Sequence, residues 1–221
     1  MAWLMLILIA LLGGCFGDKT LPSDYEKPVK VGFGVHNVNA PKTFIELPPS
    51  MYVVRKIDNN IAVEAKGCEP YIGTPETVLV LKPEPEFWLA SLIWAESRGE
   101  PLQGQAAVGQ VILNRVNDPR FNNSIIDVIF ESSYSHNKTY WQFSCVNDGQ
   151  LFQAWQSLDF PNFITLSRSL LSDLMLDNDL NKALGFFNPT KVQSYDPLKK
   201  NWVWQQPIIK QIANHAFFTI P

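Results

Sequence analysis

The sequence predicts an α+β protein that is mainly α, with a helical domain over residues 86–221 carrying a small β element. Three observations predict it. Nine of the sixteen prolines fall within residues 18–85, a density that breaks helices and favours extended, looped or edge-strand backbone. Beyond Pro85 the apolar residues recur at helical spacing in several separate runs. The composition, 46% hydrophobic and 18% charged over 221 residues, is that of a chain able to bury a core rather than a disordered one.

In chain order, Met1–Gly17 carries no charged side chain and Met1–Leu12 is almost wholly apolar. That run falls short of the about 20 residues that span a bilayer, and with Gly13-Gly14 behind it reads as the apolar core of an export signal. Leu12-Gly13-Gly14-Cys15 resembles a bacterial lipobox, in which Cys15 takes a lipid, although no Lys or Arg precedes the apolar run. The structural alternative is an uncleaved membrane-associating segment with a free Cys15. Either way the rest of the chain is expected outside the cytoplasm, in the cell envelope and membrane-anchored through this segment or a lipid, or else periplasmic or extracellular.

Residues 18–85 are expected to form a stalk or a small β-rich lobe, ending at Pro83-Glu84-Pro85. Four short runs look like strands: Val29–Val35, Met51–Lys56, Asn60–Ala65 and Val78–Leu81. Pro85 then suits the first turn of a helix, with Glu86 at the positive end of its dipole. Glu86–Glu96 contains no internal breaker, and Gly99 is expected to stop the helix in the left-handed conformation. A second helix is expected over Gln103–Val116, with Ala106, Val108, Val111 and Ile112 inside and Asp118-Pro119 as its end. Asn123-Ser124 caps a third helix running through Ile125, Ile126, Val128 and Ile129. Tyr140–Val146 reads as a strand or hairpin arm. A long amphipathic helix is expected over Asn162–Leu176, burying Leu166, Leu170, Leu171, Leu174 and Met175, and Ile208–Ile220 looks β-like.

Charge and cysteine usage exclude some functions. Eighteen basic against 21 acidic residues, with no block of one sign, do not suit a nucleic-acid binder that depends on phosphate contacts. Apart from Cys15, Cys68 and Cys145 are the only cysteines, and either a disulfide or two small buried hydrophobes satisfies the sequence. There is no C-x-x-C or Cys/His cluster, and His36 and His136 lack ligand spacing, so neither metal nor cofactor is expected.

One residue is out of place. Leu89, Leu92, Ile93 and Glu96 stand at i, i+3, i+4 and i+7 and share one helix face. Burying the carboxyl of Glu96 at the end of that apolar stripe penalises its charged form and raises its pKa. A Glu kept protonated near neutral pH is the general acid that glycosidic cleavage requires. The structural alternative is a Glu that pairs with Arg98 or Arg115.

The string from Glu96-Ser97-Arg98-Gly99-Glu100-Pro101, through Gly104-Gln105-Ala106-Ala107-Val108, to Val111-Ile112-Leu113-Asn114-Arg115-Val116 resembles the SleB/CwlJ cell wall hydrolase family. Further matches follow in order: Asp118–Phe121, Ile125–Ile129, Gln142-Phe143-Ser144, Asp148-Gly149 and Ile212–Phe217. The resemblance covers residues 86–221, and residues 18–85 lie outside it. There are two departures: Ser97 stands where the family has Ala, and Cys145-Val146-Asn147 follows Ser144 where the family has a Trp-containing sequence. The resemblance implies a lysozyme-like, transglycosylase-type fold acting on peptidoglycan glycan strands, with the first Glu of its E-x-R-G-E motif, here Glu96, as the catalytic acid.

The expected reaction is cleavage between N-acetylmuramic acid and N-acetylglucosamine by a lytic transglycosylase with a single catalytic Glu. If water is the nucleophile instead (a muramidase or glucosaminidase), Glu100 is the candidate second carboxylate; otherwise it favours the start of the second helix. Arg98 is expected to hold Glu96 or Glu100 or to meet a substrate carboxylate. Gln142 and Ser144, on the expected strand, would bond acetamido groups, and His215 is either a second acid–base group or a packed histidine. A zinc amidase would need His and carboxylate ligands at close spacing, which three scattered histidines do not provide. A non-catalytic envelope lipoprotein that binds glycan through its aromatics is the other class, and a phage lysis or virion protein would share the same chemistry.

Overall fold

The structure is a computed structural model that describes residues 29–36 and 42–221. The apolar N-terminal segment and Cys15 lie outside the described residues. The described part of the Pro-rich region is β-rich, with β1 (Lys30–Val35), β2 (Thr43–Glu46), β3 (Tyr52–Ile57), β4 (Asn60–Ala65), β5 (Tyr71–Gly73) and β6 (Val78–Val80). Two three-stranded sheets result. In one, β1 lies between antiparallel β2 and parallel β6; in the other, β4 lies between β3 and β5. The four strand-like runs of the sequence are β1, β3, β4 and β6. The short strands β2 and β5 were not legible, because three or four residues are too few for a period-2 pattern to stand out. Alternation along β1 turns Val31, Phe33 and Val35 inward. Gly32 between them is required, since a Cβ there would run into the Ile45 carbonyl of β2.

Helix α1 (Pro85–Ser97) starts with Pro85 at its first turn and buries Trp88, Leu89, Leu92 and Ile93 completely. Its end differs from expectation. Arg98 caps it in right-handed geometry, the Arg98 N–H reaches the Trp94 carbonyl, and the Glu100 N–H closes a tight turn onto Ser97 O at 2.8 Å. The carbonyls are thus satisfied by a continuing turn, and among the described glycines only Gly67 and Gly149 have positive φ. Gly99 is therefore not a left-handed cap.

Helix α2 (Leu102–Asn117) and helix α3 (Ile125–Ile129) follow, the latter capped by the Ser124 hydroxyl, which accepts from Asp127 N–H. The next segment corrects the sequence reading. Only Lys138–Trp141 is a strand, β8, paired with β7 (Ser132–Ser135), while Ser144–Asn147 forms the short helix α4. Gln142 lies in the bend between them and Ser144 opens α4, so neither stands on a strand.

Helix α5 (Gln150–Gln153) leads to α6 (Phe160–Leu171), which is shorter than expected. Asp173 takes φ 59°, Asp173 N–H returns to Leu170 O and Leu174 N–H to Ser169 O. This paired closure ends the helix at a left-handed residue that is not glycine. Leu171 and Leu174, expected inside, are consequently exposed, whereas Leu166 and Leu170 are buried and Met175 is half-buried. The chain finishes with β9 (Gly185–Phe187), α7 (Pro189–Tyr195), β10 (Ile208–Ile212) and β11 (His215–Phe218), where β11 lies between β10 and β9.

The main core is continuous across Pro85. Trp88 meets Phe33 of β1 at 5.0 Å, Phe130 at 5.4 Å and Phe152 at 6.0 Å between ring centroids, and its Nε1–H donates to Gly67 O at 2.9 Å. Val31, Leu47, Met51 and Leu79 belong to the same buried cluster as Leu89, Ile93, Phe163 and Leu170. Cys68 and Cys145 are both buried and free, which resolves the open alternative in favour of two small buried side chains. No described helix is long and apolar enough to cross a membrane.

Candidate active site

Leu89, Leu92 and Ile93 are fully buried, so the stripe they form on α1 does end at Glu96, which is half-buried. Burial is the main influence on its carboxyl and holds its pKa above the ordinary Glu range. Hydrogen bonds from the Cys145 thiol and backbone N–H oppose this, the Asp148 charge adds to it, and Lys191 opposes it. Three elements therefore act on this carboxyl: the end of α1 that carries it, the short helix α4 packed against α1 with its cap residue Asp148, and, through the charge of Lys191 alone, α7. The Cys145 thiol is itself pushed far up by burial and by Glu96 beside it, so it is a neutral donor and not a nucleophile.

The arginines offered as structural partners go elsewhere. Arg98 lies over the Trp94 ring at 4.5 Å and donates to Ala95 O and to Gln150 Oε1, both at 3.1 Å. Gln150 Nε2 in turn donates to Asp148 at 3.0 Å. Arg98 thus bonds neither the Glu96 nor the Glu100 carboxyl and is linked through Gln150 to Asp148 instead, which corrects the expectation that it holds Glu96 or Glu100. Arg115 is buried, donates through Nε to Leu184 O at 2.7 Å and faces Glu131. The Ser97 hydroxyl donates to Ile93 O at 2.7 Å, which explains how a buried Ser takes the place of Ala.

Glu100 is also accounted for. Its side chain is only 8% exposed, and its two oxygens accept from Asn214 N–H at 3.1 Å and Asn214 Nδ2 at 3.0 Å. It ties the α1–α2 junction to the β10–β11 turn, where Ala213 has φ 49°. Its carboxylate is therefore spent on that turn and not only on the start of α2. His215, next along, sits 3.9 Å from Glu100 Oε1 with Nδ1 buried and unpartnered. Burial lowers its pKa despite Glu100, and Lys191 adds to the lowering, so it is neutral and packed edge-on to Phe186 at 5.4 Å. Gln142 and Ser144 are exposed on the segment just before Cys145.

The site is thus a carboxyl on a helix end whose pKa is raised by burial, bonded to Cys145 and under the charges of Asp148 and Lys191, with the Glu100–Asn214–His215 clamp following at the next turn of the chain. Sequence reasoning missed Cys145, Asp148 and Lys191 as neighbours of Glu96. The Asp148-Gly149 motif carried a signal, since Gly149 needs its φ of 77° to set Asp148 as the α4 cap, whereas nothing local marks Lys191. Among the described residues no group of three or more His, Cys, Asp or Glu could hold a metal ion.

Residues 99–218 match the family described as cell wall hydrolase. The chain belongs to this family. The match begins just beyond Glu96 and ends at the last residue of β11. Among curated members, the spore cortex-lytic enzyme of Bacillus subtilis (strain 168) is 36% identical over 129 residues, 58% of this chain and 35% of that protein. That of Halalkalibacterium halodurans is 34% identical over 129 residues, 58% of this chain and 33% of its own length. The chain thus spans well under half of these relatives. A solved structure titled as the catalytic domain of the germination-specific lytic transglycosylase SleB of Bacillus anthracis is 32% identical and covers 61% of this chain and 93% of that one, with a TM-score of 0.46. The catalytic domain of the Bacillus cereus SleB protein is 34% identical over the same share of this chain, 90% of that one, with a TM-score of 0.43.

Proposed function

We propose that this cell wall hydrolase cleaves peptidoglycan glycan strands at the N-acetylmuramic acid–N-acetylglucosamine β-1,4 bond, as a lytic transglycosylase working in the cell envelope. The observation that carries the proposal is the burial of the Glu96 carboxyl at the end of an apolar helix stripe, with no arginine neutralising it. The family's description as cell wall hydrolase and the curated relatives' name, spore cortex-lytic enzyme, support a cell-wall substrate.

The protonated Glu96 gives its proton to the glycosidic oxygen as the C1–O bond breaks. The muramyl 6-hydroxyl oxygen then bonds to C1, and its proton returns to Glu96. A 1,6-anhydro ring closes, no water is consumed, and one carboxyl suffices. The clamp on Asn214 favours this route, because Glu100, the candidate water-activating carboxylate, already has both oxygens engaged. Anchoring through Cys15 or the apolar N-terminal segment belongs to the same proposal, as it would hold the enzyme at its substrate.

The test is solubilisation of purified sacculi followed by turbidity. The wild-type chain should clear them and Glu96→Gln should be slower by at least about 10²–10⁴-fold, the usual contribution of a positioned general acid. Equal rates for the two would refute the reading.

A further inference from the structure

The β7–β8 hairpin is anchored only at its base. Glu131 and Ser132 are buried, Trp141 packs edge-on to Phe130 at 6.4 Å, and Gln142 N–H donates to Glu131 O at 3.0 Å. From Ser133 to Tyr140 every residue is exposed. The tip turns through His136 and Asn137 at φ 50° and 58°, the left-handed pair that matches the twist of a tight hairpin. A two-stranded ribbon is marginal alone in water, yet this one leaves Tyr134 62% and Tyr140 50% exposed.

Register separates the two tyrosines. Ser133 stands opposite Tyr140 and Tyr134 opposite Thr139, so they project from opposite faces. Tyr140 shares its face with Lys138, and Gln142 follows two residues on, in the exposed bend beyond the strand. That row leads directly into Ser144 and Cys145, the residue against Glu96, and α4 packs on β8. From Tyr140 to Cys145 the chain spans at most about 17 Å.

We propose that the Lys138–Tyr140–Gln142 row is a saccharide track that holds the glycan strand on its way into the Glu96 site. This deepens the proposed function and rests on it. The electron-rich face of the Tyr140 ring suits the C–H face of a pyranose. The Gln142 amide offers the donor and acceptor that an acetamido group complements, and Lys138 meets the carboxylates of acidic stem peptides. Continuity with the Glu96 site selects a glycan strand over a protein partner.

The experiment uses the full chain in two formats. Sedimentation with purified sacculi, in the Glu96→Gln background, reads binding; cleavage of sacculi with Glu96 intact reads KM and kcat. Tyr140→Ala should weaken binding and raise KM about tenfold, the scale of one lost aromatic contact, with kcat changed by less than about twofold. Tyr140→Phe keeps the ring and the strand and should retain binding. Tyr134→Ala, on the opposite face, should match its parent in both assays. Tyr140→Ala equal to its parent, Tyr134→Ala losing as much, or a parent that does not sediment would each overturn the track. A chain that sediments and responds to Tyr140→Ala but never cuts would refute the proposed function and leave the track standing.

Discussion

Glu96 carries a pH dependence whose sign follows from its surroundings. Burial raises its folded-state pKa above the unfolded value, so the protonated form favours the fold. That stabilisation is present below the unfolded pKa and is lost as pH rises through the folded one. Glu96→Gln removes the penalty on the charged form. It is expected to raise the melting temperature by a few degrees near pH 8 and to lose that advantage near pH 4. Thermal melts of both chains at the two pH values check it; a constant offset across pH would contradict it. The same titration implies that activity falls on the alkaline side as the acid ionises. The apolar stripe, and with it the acid, was legible in the sequence because i, i+3, i+4, i+7 spacing is local. The Glu100–Asn214 clamp joins residues 114 positions apart, and no local pattern reports such a contact.

Among the elements, α1 and α2, with several turns of periodicity, were legible from spacing, and the short α3 from its Ser124 cap. Termini were less so. Gly99 looked like the stop of α1, but a tight turn closes that end, and Asp173 does for α6 what a glycine usually does. The Tyr140–Val146 run misled because a strand, a bend and one turn of helix share seven residues, too few for either period to show. Helix α1 is the element on which the others converge, and Trp88 is its anchor. Trp88→Ala leaves a ring-sized cavity among Phe33, Phe130 and Phe152 and removes one of the two donors to Gly67 O, the Glu84 N–H remaining. The expected cost is about 3–5 kcal/mol, read as a fall in the denaturant midpoint; a loss under about 1 kcal/mol would mean that the β-rich lobe and the helices do not share this core.

For the whole molecule, the resemblance in the sequence stopped at residue 86, while the buried cluster runs on through Val31, Phe33, Met51 and Leu79. That continuity was not legible, since the strands of the Pro-rich region reveal their inward faces only once they have something to pack on. The β-rich lobe is therefore structural support for α1 and so for the position of Glu96. The proposed reaction requires that one carboxyl, without a second to activate water, is enough. Mass spectrometry of the muropeptides released from purified sacculi tests this most directly. Products ending in 1,6-anhydro-N-acetylmuramic acid, lighter by one water than the hydrolytic ones, are predicted; reducing N-acetylmuramic acid ends without the anhydro form would contradict it.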